Sequence, residues 1–120
     1  MNQTNQTTLG PEINICIDSC MLCWRDCNEV AETCLNRGNE YAVQGHVDIL
    51  RTCARVCALS AELMLRNSEF ASDLCELCSK IADKCAESCS NFEDKFMKDC
   101  AEVCKETAES CRNMADSISN

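Results

Sequence analysis

Residues 16–34 read CIDSCMLCWRDCNEVAETC, and gaps of 4, 3, 4 and 7 positions separate the five cysteines of this stretch. Each residue of an α-helix is turned by roughly 100° from the one before, so these gaps place all five thiols within an arc of roughly 60°. The five residues are Cys16, Cys20, Cys23, Cys27 and Cys34. The stretch is therefore predicted to be a helix with one stripe of cysteine.

The other nine cysteines follow the same rule in three further segments. They are Cys53 and Cys57, then Cys75, Cys78, Cys85 and Cys89, then Cys100, Cys104 and Cys111. On helices, the last two groups span arcs of roughly 80° and about 40°. No stretch alternates apolar and polar residues for long enough to form a strand. The sequence therefore predicts an all-α protein.

Glycine, proline and short polar runs mark the predicted helix boundaries. Pro11 suits the first position of a helix, and Gly38 suits the left-handed residue that follows one. Residues 67–68 (Asn-Ser) predict a turn with an N-cap, and Ser90 with Glu93 has the form of a capping box. The predicted helices are 11–37, 44–66, 69–89 and a fourth that opens at Ser90 and ends near 117, with a loop over 38–43.

Four helices of about 22 residues with short connections favour an antiparallel up-down-up-down four-helix bundle with a Cys-lined interior. The predicted organisation is a tail over 1–10, one bundle domain over 11–117 and a tail over 118–120. Antiparallel stacking predicts the facing layers to within about one turn. From one end they are Cys16/Met64/Ala71/Met114, Cys20/Ser60/Cys75/Cys111, Cys23/Cys57/Cys78/Ala108, Cys27/Cys53/Ala82/Cys104, Val30/Leu50/Cys85/Cys100 and Cys34/His46/Cys89/Phe96.

Composition limits the function classes. Leu, Ile, Val and Phe make up only 23 of 120 residues. We therefore expect something besides hydrophobic burial to stabilise the core. A net charge of −9 argues against nucleic acid or an anionic membrane as a partner. With one histidine and no Gly-rich phosphate loop or nucleophile elbow, we do not expect an enzyme. The first residues lack a secretory signal, so a cytoplasmic location is expected.

Fourteen thiols on inward faces have two chemical interpretations besides plain packing. Residues four apart on a helix hold their Cβ atoms about 5–6 Å apart, whereas a disulfide needs about 3.5–4.5 Å. Disulfides would therefore have to join different helices, as in a disulfide-stapled structural bundle. Reducing compartments keep thiols free, which favours metal binding instead.

Soft sulfur ligands select Cu(I), Zn(II) or iron–sulfur clusters. The closely spaced motifs of iron–sulfur proteins are missing, and zinc prefers discrete sites of four thiolates. A continuous sulfur stripe suits Cu(I), because one monovalent ion per thiolate cancels the buried charge. The expected capacity is between about 7 and about 14 Cu(I) per chain. A zinc-binding helical bundle stays open as an alternative.

Three further candidate ligands, one histidine and two methionines, lie at the predicted ends of the bundle. His46 projects near Cys34 at one mouth, and Met64 and Met114 project near Cys16 at the other. Each is a candidate to take up or gate metal, with core packing as the alternative. Trp24 is turned away from the stripe and is predicted to pack between helices or at a subunit contact.

Cys-x-x-x-Cys pairs on four predicted helices, in an acidic chain of this length, resemble the cytosolic branch of the bacterial copper storage proteins over roughly residues 12–117. The resemblance implies a four-helix bundle that fills with Cu(I) and assembles as a homotetramer. It also implies exchange of copper with a donor or acceptor protein or a small thiol. The implied dithiolate clamps are Cys16/Cys20, Cys23/Cys27, Cys53/Cys57, Cys85/Cys89 and Cys100/Cys104, with Cys34, Cys75, Cys78 and Cys111 completing bridged sites. Helix 2 departs from the pattern with only two cysteines, so filling near it is expected to be sparser or to rely on His46.

Overall fold

The computed structural model describes residues 10–118 and contains four long α-helices in that part of the chain. They are α1 (Pro11–Arg37), α2 (Gln44–Leu65), α3 (Ala71–Ser90) and α4 (Lys95–Ile118), with a short 3-10 helix at Asn39–Ala42. No strand occurs between residues 10 and 118. Successive helices pack on each other, and α1 also packs on α4, which closes the ring of a four-helix bundle. The predicted fold class is confirmed.

The interior of the bundle is built from small and sulfur-containing side chains. All fourteen cysteines are buried, together with alanines that let the helices approach closely. Branched aliphatic residues are few in this core, and Leu50 is one of its few large, fully buried side chains. Burying a leucine stabilises a fold by about 1.5–3 kcal/mol, so a core with few of them gains little from burial alone. The interior therefore depends on sulfur for much of its contact surface.

The predicted capping box at Ser90 and Glu93 is wrong. Ser90 is the last residue of α3, and its hydroxyl donates to the carbonyl of Ala86 at 2.8 Å. Helix α4 begins at Lys95, where the carbonyl of Asp94 accepts the amides of residues 97 and 98. A serine hydroxyl that bonds back to its own helix cannot cap the next one, so a four-residue connection separates α3 from α4.

The other predicted boundaries are close to those observed. Helix α1 has the predicted bounds, and Gly38 after it has a φ of 74°. The predicted loop over 38–43 contains the 3-10 helix, whose i to i+3 bonds tighten a short connection. The turn at 67–68 occurs, with Asn67 at φ 55°, but α3 starts at Ala71 rather than 69. The predicted tails, 1–10 and 118–120, lie outside the described residues except Gly10 and Ile118.

None of the helices within residues 10–118 combines the length and the apolar character needed to cross a membrane.

Candidate metal centre

All fourteen cysteines predicted as metal ligands lie in the bundle interior. None is more than 1% exposed, and all are free thiols. The stripes of the four helices thus point toward a common axis, as their spacing predicted. Direct contacts join sulfurs of different helices at 3.4–4.0 Å, well beyond the roughly 2.05 Å of a disulfide bond.

Four thiols form a compact group in the middle of the bundle, which we call the central cluster: Cys23, Cys27, Cys53 and Cys104. Their Sγ atoms all lie within 4.8 Å of one another. Cys23 lies 3.9 Å from Cys27, 3.8 Å from Cys53 and 3.7 Å from Cys104. Four sulfurs about 2.3 Å from a central ion would be about 3.8 Å apart, so this spacing suits a tetrahedral thiolate site.

A second group, the three-thiol cluster, consists of Cys16, Cys20 and Cys111. Its sulfurs also lie within 4.8 Å of one another. Cys111 of α4 is 3.4 Å from Cys20 and 3.8 Å from Cys16, both on α1. Three convergent thiols match the two or three sulfur ligands that soft monovalent ions accept.

Further sulfur contacts extend the central cluster along the axis. Cys27 lies 3.9 Å from Cys85 and 4.0 Å from Cys100, and Cys57 lies 3.5 Å from Cys78. The interior therefore holds a chain of neighbouring thiols, with the two clusters as its densest parts.

The predicted layers agree with these contacts to within a turn. The expected pairings of Cys20 with Cys111, Cys57 with Cys78 and Cys27 with Cys104 all occur. The expected layer of Val30 with Cys85 and Cys100 is shifted, because Cys27 reaches both of those sulfurs instead. Side chains in a bundle fit into holes between residues of the facing helix, so one cysteine touches neighbours from two predicted layers.

Hydrogen bonds between neighbouring thiols lower the pKa of some of them and raise the pKa of others. Bonds from Cys104 and then Cys27 lower the pKa of Cys23 to about 6 and that of Cys85 to about 7. The pKa of Cys27 is raised, because its own bonds with Cys100 and Cys104 favour its protonated form. A buried thiolate is stabilised by S–H donors around it, and those donors then hold their protons. Neighbouring thiols thus differ in acidity, and incoming metal would displace the protons of those that it binds.

Three cysteines lie toward the edges of this network. Cys75 and Cys89 are fully buried, and hydrogen bonds with Cys100 and Cys85 raise the pKa of Cys89. Cys34 is buried as well, and burial is the main cause of its raised pKa, while Cys100 acts on it through charge alone. Cys34 therefore lies at the margin of the sulfur chain.

His46 lies at one mouth of the bundle, as predicted, and is only 5% exposed. Its Nδ1 is 2.6 Å from the hydroxyl of Ser88, and its Nε2 is 3.3 Å from the sulfur of Met97. Ser88 donating to Nδ1, with Nε2–H donating to the thioether, satisfies both ring nitrogens. Burial lowers the pKa of His46 and favours the neutral ring, the form that binds metal.

Met97 is a residue that sequence reasoning missed. The predicted layer placed Phe96 beside His46, whereas the structure buries Met97 completely against the imidazole. The signal was present, because positions 97, 100 and 104 continue the 3 and 4 spacing of the stripe on α4. The predicted layer used Phe96, four positions before Cys100, in place of Met97, which is three positions before it.

The opposite mouth contains the two predicted methionines. Met64 and Met114 are 2% and 5% exposed. Met64 lines a cavity of about 190 Å³ with Ile13, Ala71 and Ile118 among its neighbours. Trp24, predicted to pack between helices or at a subunit contact, is 39% exposed in the single chain, and a subunit contact stays a prediction.

Comparison with known proteins places these features in a family. The family model for copper storage proteins matches residues 10–116 of this chain. An uncharacterised cysteine-rich protein of Bacillus subtilis, YhjQ, is 33% identical over 100 residues, which cover 83% of this chain and 93% of the relative.

Solved structures share the fold. A crystal structure of a protein from Nitrosospira multiformis superposes with a TM-score of 0.84 at 34% identity, covering 88% of this chain and 96% of that one. The Cu(I)-bound copper storage protein BsCsp3 gives 0.82 at 32% identity over 87% and 98% of the two chains. Copper storage protein 3 from Bacillus subtilis without copper gives 0.79 at 32% identity over 85% and 97%.

Proposed function

This chain belongs to the copper storage protein family, and we propose that it binds and stores several Cu(I) ions on the thiolates of its bundle interior, buffering copper in the cytosol. The observation that carries the proposal is the chain of free, buried sulfurs with neighbours at 3.4–4.0 Å. A thiol packed only for its size would gain nothing from such neighbours. Soft ions that bridge neighbouring thiolates would use every one of these sulfurs as a ligand.

Charge balance supports a monovalent cargo. Isolated buried thiolates cost too much free energy to persist in a dry interior, so the thiols must hold protons before copper binds. Each Cu(I) that replaces a thiol proton leaves the net charge of the interior unchanged. Filling can therefore proceed along the axis without an accumulating repulsion, at a capacity of about 7 to about 14 ions.

We assign all fourteen cysteines as ligands, with the Cys-x-x-x-Cys pairs as dithiolate clamps. Cys23 and Cys27, whose sulfurs lie 3.9 Å apart, are the clearest such clamp. At the mouths, His46 with Met97 on one side and Met64 with Met114 on the other are proposed to pass Cu(I) inward or to bind it weakly. Their support is burial beside the sulfur chain and the ligand chemistry of imidazole and thioether.

The proposed role is storage without catalysis, in a homo-oligomer, with the tetramer as the expected form. Exposed apolar side chains on three helices offer surface for such an assembly, and Ile15, Leu65 and Trp24 are examples. Exchange partners are proposed to be a copper donor or acceptor protein or a small thiol. The acidic surface argues against nucleic acid and anionic membranes.

Zinc is the second candidate cargo, and the central cluster is the observation that favours it. Four sulfurs with contacts of 3.7–3.9 Å suit one tetrahedral Zn(II). Divalent zinc would fill discrete sites, so we expect no more than about one to three ions per chain, far below the copper capacity.

Anaerobic titration of the fully reduced protein separates the two cargoes. Cu(I) is added against a competing chromophoric chelator, Zn(II) is titrated in parallel, and free thiols are counted before and after. We expect about 7–14 tightly held Cu(I) per chain and little zinc. Negligible copper uptake by the fully reduced protein would contradict the proposal. If protein isolated without added reductant also has almost no free thiol, the disulfide-stapled bundle is supported instead.

A further inference from the structure

The segment between α1 and α2, residues 38–43, lies at the end of the bundle that holds His46, and we call it the strap. Gly38 and Asn39 both have positive φ, at 74° and 51°. Asparagine tolerates this region better than most residues, but two such positions in a row form a sharp bend between helices. No residue of the 3-10 helix within the strap is buried.

Three side chains hold the strap against the start of α4, and we call them the latch: Arg37, Tyr41 and Asp94. The hydroxyl of Tyr41 donates to the carboxylate of Asp94, whose two oxygens lie at 3.0 and 3.2 Å. Arg37 donates to the same carboxylate at 3.3 Å, and its guanidinium lies 4.7 Å from the ring centroid of Phe96. The ring of Tyr41 stacks on Phe92 at 5.5 Å.

Directly beneath the latch lie ligand-bearing residues of the mouth. The ring of Phe92 is 4.8 Å from that of His46, so the stack that begins at Tyr41 ends on the imidazole. The carbonyl of Cys34 accepts the amide of Gly38 at 3.0 Å, and the charges of Arg37 and Asp94 both act on the Cys34 thiol. The strap therefore reaches His46 through the ring of Phe92 and reaches Cys34 through the backbone of Gly38.

The contacts of the latch cost little free energy to break. The side chains of Arg37 and Asp94 are 48% and 28% exposed, and ion pairs of that exposure contribute little to stability. The strap adds no buried side chain of its own, whereas the helices beside it bury a residue at almost every turn. Local opening concentrates where few buried contacts must be broken.

We propose that the strap is a gate over the His46 mouth, and that release of Tyr41 from Asp94 exposes Cys34, Cys89 and Cys100 to molecules in solution. The gate itself depends only on thiol access, whereas its role in copper exchange rests on the proposed function. A gate of this kind controls how fast ions enter or leave without changing how many the interior holds.

The test compares wild-type protein with Tyr41→Phe, which keeps the aromatic stack and removes the hydroxyl. Reduced, copper-free protein is exposed to a thiol-alkylating reagent, and modification of each cysteine is followed by peptide mass spectrometry. We expect Cys34, Cys89 and Cys100 to react about fivefold faster in the variant, the effect of losing one hydrogen bond of ordinary strength. Cys16 at the opposite mouth should keep its wild-type rate.

Asp83→Asn is the matched control, since it breaks an exposed contact to Arg112 at 3.2 Å between α3 and α4, away from the strap. It should leave all alkylation rates unchanged. Equal rates for Tyr41→Phe and wild type would overturn the gate, and so would an equal acceleration at both mouths, which would mean general loosening. Copper-loaded protein is then treated with a chelator, and release should accelerate by a similar factor at unchanged capacity. Faster alkylation in a protein that binds no Cu(I) would refute the storage function but leave the gate in place.

Discussion

The central cluster and the three-thiol cluster begin from the same motif and end in different environments. Each is built on a Cys-x-x-x-Cys pair of α1, and each receives one cysteine from α4. The difference comes from α2, which adds Cys53 to the central cluster, whereas in the predicted stacking it places the fully buried Ser60 at the level of Cys20 and Cys111. Ser60 donates to the carbonyl of Leu74 and so is occupied elsewhere. The facing helix, more than the motif, decides how many sulfurs meet.

The two clusters also differ in how they connect to the rest of the interior. Cys27 of the central cluster contacts sulfurs of α3 and α4 beyond the cluster itself, at Cys85 and Cys100. Within the three-thiol cluster both close contacts converge on Cys111, and its outward links run to Cys75 and Cys78 of α3 and to Cys57 of α2. Both clusters therefore have neighbouring thiols to which an ion can bridge. The central cluster lies in the middle of the bundle, so its removal should interrupt the whole chain of sulfurs.

The largest expected effect is on copper capacity. The double variant Cys23→Ser with Cys27→Ser should lose about four Cu(I) per chain, because it removes half of the central cluster and the links to α3. Cys16→Ser with Cys20→Ser, the matched pair at the other cluster, should lose about two. Anaerobic titration with a competing chelator gives both numbers.

Circular dichroism of the copper-free proteins controls for folding, since serine is close to cysteine in size and both variants should stay helical. Equal losses from the two pairs would show that every clamp fills independently. Unchanged capacity in both would refute the inward stripe as the copper site.

Sequence periodicity was sufficient to predict the four helices, the inward direction of every cysteine and three of the cross-helix sulfur contacts. It depends only on a turn of roughly 100° per residue, which holds for any regular helix. The start of α4 was missed because Ser90 and Glu93 match a capping box, whereas the hydroxyl of Ser90 bonds back to Ala86. Met97 was missed for a different reason, because Phe96 was assigned to the layer of His46. The latch could not be predicted from the sequence, because Tyr41 and Asp94 are 53 positions apart and meet only through the packing of the bundle.

A smaller effect should appear in the acidity of the empty protein. The pKa of Cys23 is lowered to about 6 by Cys104 and then Cys27, whereas Cys16 raises the pKa of Cys20 despite the opposing bond from Cys111. Thiolate absorbance near 240 nm should therefore rise as the pH increases through about 6. Cys23→Ser should lose about one thiolate from this rise, and Cys20→Ser should keep it.

The lowered pKa of Cys23 also makes the stability of the folded protein depend on pH. The folded pKa of Cys23 lies below its ordinary value of 9.0, so its thiolate stabilises the folded state fully above pH 9. That contribution falls as the pH decreases toward 6 and is lost below it. A thiolate step that survives in Cys23→Ser and vanishes in Cys20→Ser would reverse the assignment of the two clusters.

The smallest effect is expected at the two mouths beyond the clusters. Met97→Leu preserves the buried volume beside His46 and removes the thioether, so stability should change by less than about 1.5 kcal/mol. Copper capacity should fall by about one ion at most, while the first ions load more slowly, because imidazole loses its sulfur partner at the gated mouth.

Met64→Leu is the counterpart at the opposite mouth, where no histidine accompanies the methionine. Stopped-flow loading from a Cu(I)-chelator complex separates the two variants. Slower loading in Met97→Leu alone would assign uptake to the mouth beneath the strap. Slower loading in Met64→Leu alone would place uptake beside the three-thiol cluster, and copper would then reach the central cluster only after that cluster.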